Sequence, residues 1–600
     1  MPMQGISFAG TFIPLPGAYY QDDVTAATPN NPPTTPPMLV LGYGWGPKPK
    51  TPVTFTSPAD FAAAVRGAPV AAFIPFIANP SPAQNGAQLI TFIDVSRNTQ
   101  SLAALVASGA LGTQTLLTSA FYGPPSNQLS YQVSNGSTAG LKLTITDNYG
   151  GGQYVGDDLT VPFQLAYSGQ ASGSVTYSVV VSGNAPAFSV SSPVSGESVT
   201  IPIGSGAYAT VATLTEALNG TGNYYAVGLS STGGQLPSNF LTATGSVSLA
   251  VPVSGVLQYA NVRAYLQEIA YWVNQFASPL ASATVSGTVD SAAWLPVTGV
   301  PTFFSGATGV PPVNSDYASG FTAGLTVPAW TVFADSNATA VQALMAQHCE
   351  TASSPPYGMW RRGFTGSSIG DTVSTTTTNA TNLDSLQMVY VYPGIYRTNT
   401  STGQNQLYGG LYAAASAAAI ATGNIVALPL TNKVLNGNGV EAVNAGLQLT
   451  VSQLSTLQNA GVLALWQTAQ FNGPPTFLSD VTTWQVDDNV ENTSTQQVAC
   501  RYWLAYSVVT TLRRYVGTIA TPTTEASILN ALKRLLNALI YTGGASNGVL
   551  ASWDSKSLVL VYDGQNQLAS ITVNVTLVGQ NRFITCFASV EPLAFTITAS

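Results

Sequence analysis

Residues 38–67 read MLVLGYGWGPKPKTPVTFTSPADFAAAVRG. Met38 to Gly42 is a short apolar run, and the Gly-Pro step Gly46-Pro47 turns the chain toward a second predicted strand near Val53 to Thr56. Ser57 then stands as an N-cap, Pro58 at the first helical position and Gly67 just past the end, so a helix is predicted between them. A strand over Gln88 to Val95 and a helix over Leu102 to Ala107 continue the α/β alternation.

Outward from this stretch the character changes. The first 36 residues, with Pro14, Pro16, Pro29, Pro32, Pro33 and Pro36, read as an extended arm with apolar side chains only near Ile6, Phe8, Phe12, Ile13, Tyr19 and Tyr20. Between about 120 and 255, short strands are broken by Gly, Ser and Asn turns: Leu141 to Thr146, Leu159 to Tyr167, Ser174 to Val181, Ser198 to Ile203, Tyr224 to Leu229 and Val247 to Val253. That spacing predicts an inserted β-sandwich. A helix is predicted over Leu257 to Phe276, burying Val262, Leu266, Ile269, Val273 and Phe276. Near the end, a helix over Val498 to Val516 carries the stripe Val498, Tyr502, Ala505, Val509, Leu512 and Val516. A second helix opens with Thr521 as cap and Pro522 at its first position, and shows the stripe Ile528, Leu532, Leu535 and Leu539. Strands are predicted over Leu558 to Tyr562, Ile571 to Leu577, Phe583 to Ala588 and Ala594 to Ala599.

Only 17 basic and 25 acidic residues serve a chain of 600, a charged share of 7% against roughly 25% in ordinary soluble domains. Such a surface suits a subunit that spends its life packed against others, since charge is depleted at interface cores. The net charge of -8 and the absence of Lys and Arg from 143 to 262 argue against nucleic-acid binding. Cys349, Cys500 and Cys586 are odd in number and widely spaced, which fits buried thiols and neither a disulfide framework nor a zinc site. Met1 to Gly5 lack the basic and apolar regions of a signal peptide, so export by that route is not expected. Leu411 to Leu430 is Ala-rich but broken by Ser416, Thr422, Gly423, Asn424 and Pro429, which predicts a packed helix and no membrane insertion.

The chemical motifs point away from catalysis. His348, the single histidine, adjoins Cys349 in a helical run, where neighbours point about 100 degrees apart and do not face each other. The pairs Asp22-Asp23, Asp157-Asp158 and Asp487-Asp488 are of the type that serves glycosidases or hard metals, but adjacent residues on a strand face opposite sides, so solvated turns are expected. The glycine clusters at Gly42 to Gly46 and Gly150 to Gly156 lack the phosphate-loop pattern and read as turns. No catalytic residue, metal site or cofactor is predicted.

Taken in order, several segments resemble the contractile tail sheath proteins of myovirus-type bacteriophages and related injection systems. Pro16-Gly17-Ala18-Tyr19-Tyr20 is similar to the family's opening Pro-Gly-Val-Tyr, and Leu41 to Pro47, Pro52, Ser57, Phe61 and Gly67 follow its next progression. Phe304 to Gly309 resembles a Gly-rich turn of the family, with Asp316-Tyr317 following. Val391-Tyr392-Pro393-Gly394, the Ala-rich Gly410 to Gly423 and Leu428 to Lys433 resemble its Tyr-Pro strand end, helix and Pro-Leu-Thr-x-Lys step. Leu454 to Val462 and Val481-Thr482-Thr483-Trp484 resemble a later helix and strand, with Asp480 where relatives carry a basic residue.

The resemblance implies a mixed α/β and β multidomain chain, with a discontinuous α/β sheath core, an inserted β-sandwich-like domain and extended terminal arms. The expected divisions are an arm over 1–36, core over 37–119, an inserted peripheral domain over 120–255, core again over 256–470, a C-terminal inner α+β domain over 471–593 and an arm strand over 594–600. It further implies a non-enzymatic subunit stacking as hexameric rings around a tail tube and contracting to drive the tube through the host envelope for genome ejection. Its partners would be other copies, the tail tube protein, and the baseplate and tail terminator proteins. Its place would be the virion, after assembly in the host cytoplasm. Phe8, Phe12, Tyr19, Phe595 and Ile597 are the expected inter-subunit arm contacts, and Lys533 and Arg534 the expected tube-facing pair. A competing reading, a secreted or surface β-rich glycan-binding or glycan-cleaving protein, would need a secretion signal and a carboxylate or aromatic cleft, and the sequence displays neither.

Overall fold

The computed structural model describes residues 6–8, 11–13 and 37–580, apart from 106–114, 172–173, 182, 184, 250–253, 257–261, 286–295, 444–447, 468–472, 544–547 and 566. Its centre is an eight-stranded sheet of β1 (Met38–Gly42), β2 (Pro52–Phe55), β3 (Ile90–Asp94), β4 (Thr331–Ala334), β5 (Arg362–Gly366), β6 (Met388–Tyr392), β7 (Val462–Trp466) and β8 (Thr476–Phe477), in the order β8-β7-β6-β5-β4-β1-β3-β2. The six inner strands run parallel, and β2 and β8 close the two edges antiparallel. Register explains the continuous apolar runs. Phe92, Val40, Phe333, Phe364 and Val389 stand opposite one another across five strands and share one face. Leu39, Leu41, Ile93, Val332 and Met388 line the other, so both faces are buried and the strands need no polar alternation.

Helices cover both faces. α1 (Pro58–Ala64) starts as its cap chemistry dictates, with Asp60 N donating to Ser57 Oγ at 3.1 Å and Gly67 turning the chain away at φ +73°. On the opposite face lie α2 (Asn314–Gly324) and α3 (Thr339–Ser353). α4 (Gly410–Gly423) lies beneath β4 to β6 on the α1 side, with Ala413, Ala414, Ala415, Ala417, Ala418 and Ala419 all fully buried. A helix apolar on every side is a core helix, and among the described residues no helix is long and apolar enough to cross a membrane.

The β-rich half holds two further cores. One joins the sheets Gln153–Leu159/Leu141–Asp147/Leu129–Asn135/Thr302–Phe303 and Ala281–Val285/Thr115–Tyr122/Gln100–Ala104 around the helix Val262–Phe276. The other packs Val199–Pro202/Ala187–Ser191/Val175–Val180/Thr244–Leu249 and Tyr224–Gly228/Phe163–Tyr167/Ser254–Val256 with the helix Val211–Gly220. Two expectations are corrected here. Leu102 to Ala107 was predicted helical, but Gln100–Ala104 is a strand paired with Thr115–Tyr122, burying Ser101 and Ala103 and exposing Leu102. Tertiary pairing overrides the helix preference of Leu-Ala-Ala. Phe276, predicted buried, is 47% exposed at the end of its helix.

The C-terminal part builds α5 (Thr495–Leu512) and α6 (Pro522–Ala538) against a two-stranded ribbon, β9 (Leu550–Asp563) and β10 (Leu568–Leu577). Thr521 caps α6 as predicted, accepting from Thr524 N at 3.2 Å. The predicted stripe on α5 ends early. A 3-10 turn at Arg513–Tyr515 stops the helix and leaves Val516 40% exposed. The predicted strands over Phe583 to Ala588 and Ala594 to Ala599 lie outside the described residues.

Candidate functional site

Among the described residues, the histidine, cysteines and paired aspartates singled out in the sequence serve structure. His348 is buried, and Arg361 donates from Nη1 to its Nε2 at 3.0 Å. Desolvation, reinforced by that guanidinium, pushes the imidazole down to about 3 and keeps it neutral. Burial pushes the thiols of Cys349 and Cys500 up to about 12, so neither is a thiolate nucleophile. Cys586 lies outside the described residues. Asp487 receives Asn489 N at 2.9 Å and Asn492 Nδ2 at 3.2 Å, organising the turn before a short helix. Asp157 and Asp158 tie down the turn at 137–139 through Ser137 N at 3.0 Å, Thr138 N at 2.8 Å and Ala139 N at 2.9 Å. Asp158 is buried, not solvated as expected. Asp22-Asp23 lie outside the described residues, among which no His, Cys, Asp or Glu cluster could hold a metal ion.

Asp480, the residue that departs from the resembled pattern, is a buried junction. Its carboxylate accepts from Leu430 N at 3.1 Å, Ser494 Oγ at 2.8 Å and Gln496 N at 2.8 Å, so it fastens the start of α5 to the loop after α4. Desolvation raises its pKa, opposed by these donors and by nearby Arg362. Arg362, from β5, donates to Thr495 O at 3.2 Å and lies 5.3 Å from the Trp330 ring. Trp330 in turn meets Trp503 of α5 edge-on, with centroids 5.2 Å apart. The core sheet and the C-terminal part are thereby packed as one.

The ribbon is the open feature of this end. Leu550, Val575 and Leu577 anchor its base against α5 and α6, but toward the tip Val559, Val561 and Tyr562 are 49%, 61% and 41% exposed. Among the described residues neither long edge pairs with a third strand, the only bridge being Ile540 to Leu550 at the base. Unpaired backbone beside exposed β-branched side chains is a template for another strand. The sequence showed both strands but not that they form a lone ribbon. The Asp563-Gly564 turn was the available signal.

Lys533 and Arg534 are both exposed on α6, and neither forms an ion pair with a described residue. At the other terminus, within the stretch expected to form an arm, Ile6–Phe8 pairs antiparallel with Thr11–Ile13, with Phe8 opposite Thr11 and Phe12 opposite Ser7. Tyr19, Phe595 and Ile597 lie outside the described residues.

No family model and no curated protein sequence matches the chain. Among solved structures, the sheath tail protein Lin1278 from Listeria innocua aligns over 92% of this chain and 95% of its own, with a TM-score of 0.53 at 11% identity. The sheath tail protein DSY3957 from Desulfitobacterium hafniense aligns over 94% of this chain and all of its own, with a TM-score of 0.46 at 10% identity. The contracted helical sheath of the anti-feeding prophage aligns over 48% of this chain and 78% of its own, with a TM-score of 0.36 at 16% identity. At 11% identity over nearly the full length of both chains, what is shared is architecture, and the fold of this chain is that of a sheath tail protein.

Proposed function

We propose that the chain is a non-enzymatic structural subunit of a contractile sheath, polymerising with copies of itself as stacked hexameric rings around a tail tube. Contraction of the array would drive the tube through a host envelope and eject the genome. The observation that carries this reading is the open β9–β10 ribbon on a chain with the sheath-protein fold. Strands from the terminal arms of neighbouring copies, around Phe8, Phe12 and Tyr19 at one end and Phe595 and Ile597 at the other, would complete the ribbon's sheet. A contact in which one patch meets a different patch on the next copy generates helices and rings, not closed dimers.

In this reading Lys533 and Arg534 face the tube, the β-rich block 120–255 lies at the outer radius, and the baseplate and tail terminator proteins hold the two ends of the array. The particle is a virion tail assembled in the host cytoplasm, without nucleic-acid contact or membrane insertion by this subunit. Negative-stain microscopy of the purified chain tests the proposal, with long striated tubes expected and dispersed particles counting against it. Removing residues 1–20 or 594–600 should leave a folded subunit that no longer sediments as polymer. Wild-type polymer from either truncation would overturn the arm exchange.

A further inference from the structure

Between Leu159 and Val262 the chain carries only two charged residues, both glutamates. Glu197 is buried, where the Tyr167 hydroxyl and the Gln170 amide donate to it. Glu216 is exposed on the helix Val211–Gly220 and forms no ion pair with a described residue. Its carboxylate lines a groove of about 490 Å³. One wall of the groove is the strand Val199–Pro202, the outermost of its four-stranded sheet, and Tyr208 adds an aromatic surface. The other wall is the helix, where Ala217 and Gly220 leave the space unfilled, and a Cβ added at Gly220 would stand in the open.

Register fixes which way the backbone of the strand points. Ile203 N donates to Pro186 O at 3.1 Å, and Ile201 and Val199 follow in step opposite Phe188 and Val190. The amides and carbonyls at these alternate positions are therefore turned to the neighbouring strand. Thr200 falls between them, opposite Ser189, with the two side-chain oxygens 3.1 Å apart as in a non-hydrogen-bonded pair. Its N–H and C=O are turned outward, and among the described residues no further strand pairs with them. Pro202, the next residue to point outward, has no N–H to offer there, the position an edge strand allows proline.

We infer that this groove takes an extended peptide segment of a partner protein, laid along the strand as an added neighbour, with a Lys or Arg side chain on Glu216. The outward pair on Thr200 and the carbonyl of Pro202 supply the backbone contacts, and the helix wall bounds the side chains that lie between. The sign of the partner's charge follows from Glu216 being the one exposed charge of this block. The site belongs to the subunit and does not depend on polymerisation. Fluorescence anisotropy on the full chain tests it, with labelled, end-capped hexapeptides of alternating Thr and Val in which each Thr in turn is replaced by Lys. At least one Lys peptide should bind saturably, and its Gln counterpart roughly two- to fivefold more weakly. Glu216→Gln should cost the Lys peptide about the same factor, leave the Gln peptide unchanged and matter less at high salt. Thr200→Pro removes the outward N–H while sparing the inward ladder, and should weaken both peptides roughly tenfold. If that variant does not fold, Glu216→Gln, a same-shape change at an exposed helical position, decides. Failure of every Lys peptide to bind, affinity indifferent to Glu216→Gln, or saturable binding of glucose, galactose or N-acetylglucosamine in place of peptide would overturn the inference.

Discussion

Arg66 illustrates how much a chain this poor in charge asks of a single ion pair. It sits at the end of α1 with φ +49°, 8% exposed, and sends Nη1 and Nη2 to the two oxygens of Asp147 at 3.2 and 2.6 Å. Its guanidinium carbon lies 3.5 Å from the Phe121 ring centroid, so the same side chain bridges the core sheet to two strands of the β-rich half. Arg66→Ala would strand a buried carboxylate, at a cost of about 3–5 kcal/mol. Arg66→Lys keeps the charge but loses the fork and the stacking, and should fall between. The shift of the urea midpoint for the β-rich half measures both. If Arg66→Ala unfolds at the wild-type midpoint, the pair contributes only shape.

At the scale of elements, the proposed roles of the ribbon and α6 allow folding to be tested apart from assembly. Val561 is 61% exposed, so Val561→Lys should change subunit stability by less than about 0.5 kcal/mol while weakening polymerisation. Sedimentation and thermal melting of the same sample check the two halves of that statement. Replacing Lys533 and Arg534 by Glu should weaken co-assembly with isolated acidic tubes, with a smaller deficit at high salt, where exposed charges are already screened. Normal co-assembly at low ionic strength would mark the pair as a solvated face.

The same scale shows what was legible in the sequence. The strand, turn and capped helix of residues 38–67 were readable because each signal is local: an apolar run, a Gly-Pro step, a Ser-Pro start. The strand Gln100–Ala104 was not, because Leu-Ala-Ala favours a helix in isolation and only pairing with Thr115–Tyr122 decides otherwise. The helix Val211–Gly220 was missed among strands, although Thr210 and Thr213 form a reciprocal cap. Of the predicted site residues, only Lys533 and Arg534 could be placed as exposed side chains, since exposure opposite an apolar stripe follows from periodicity alone. The open ribbon depends on what fails to pair with it, which no local pattern records.

For the whole molecule, the displaced ionisations act in opposite directions. Asp94 and Asp335, raised from 3.8 to about 6, hold more protons folded than unfolded, so each adds roughly 1.4 kcal/mol as pH falls from 7.5 to 5. The raised Asp480 works in the same direction. His348, lowered from 6.5 to about 3, contributes stability that is complete above the ordinary histidine range and is lost on acidification, roughly 2 kcal/mol over the same interval. The wild-type apparent Tm should therefore be level or slightly higher at pH 5 than at pH 7.5. The double variant Asp94→Asn, Asp335→Asn should instead melt lower at pH 5 than at pH 7.5. Scanning calorimetry at fixed ionic strength checks both, and parallel profiles would show that the two carboxyls are not displaced.

The alanine helix α4 has a mechanical consequence. Ala413, Ala414, Ala415, Ala417, Ala418 and Ala419 have no rotamers to exchange, and the sheet face they cover is filled by Phe333, Phe364 and Val389. Close-packed interiors have low compressibility and transmit strain, so a layer built this way yields little under load. In a contracting array of the kind proposed, such a subunit would pass load from one neighbour to the next.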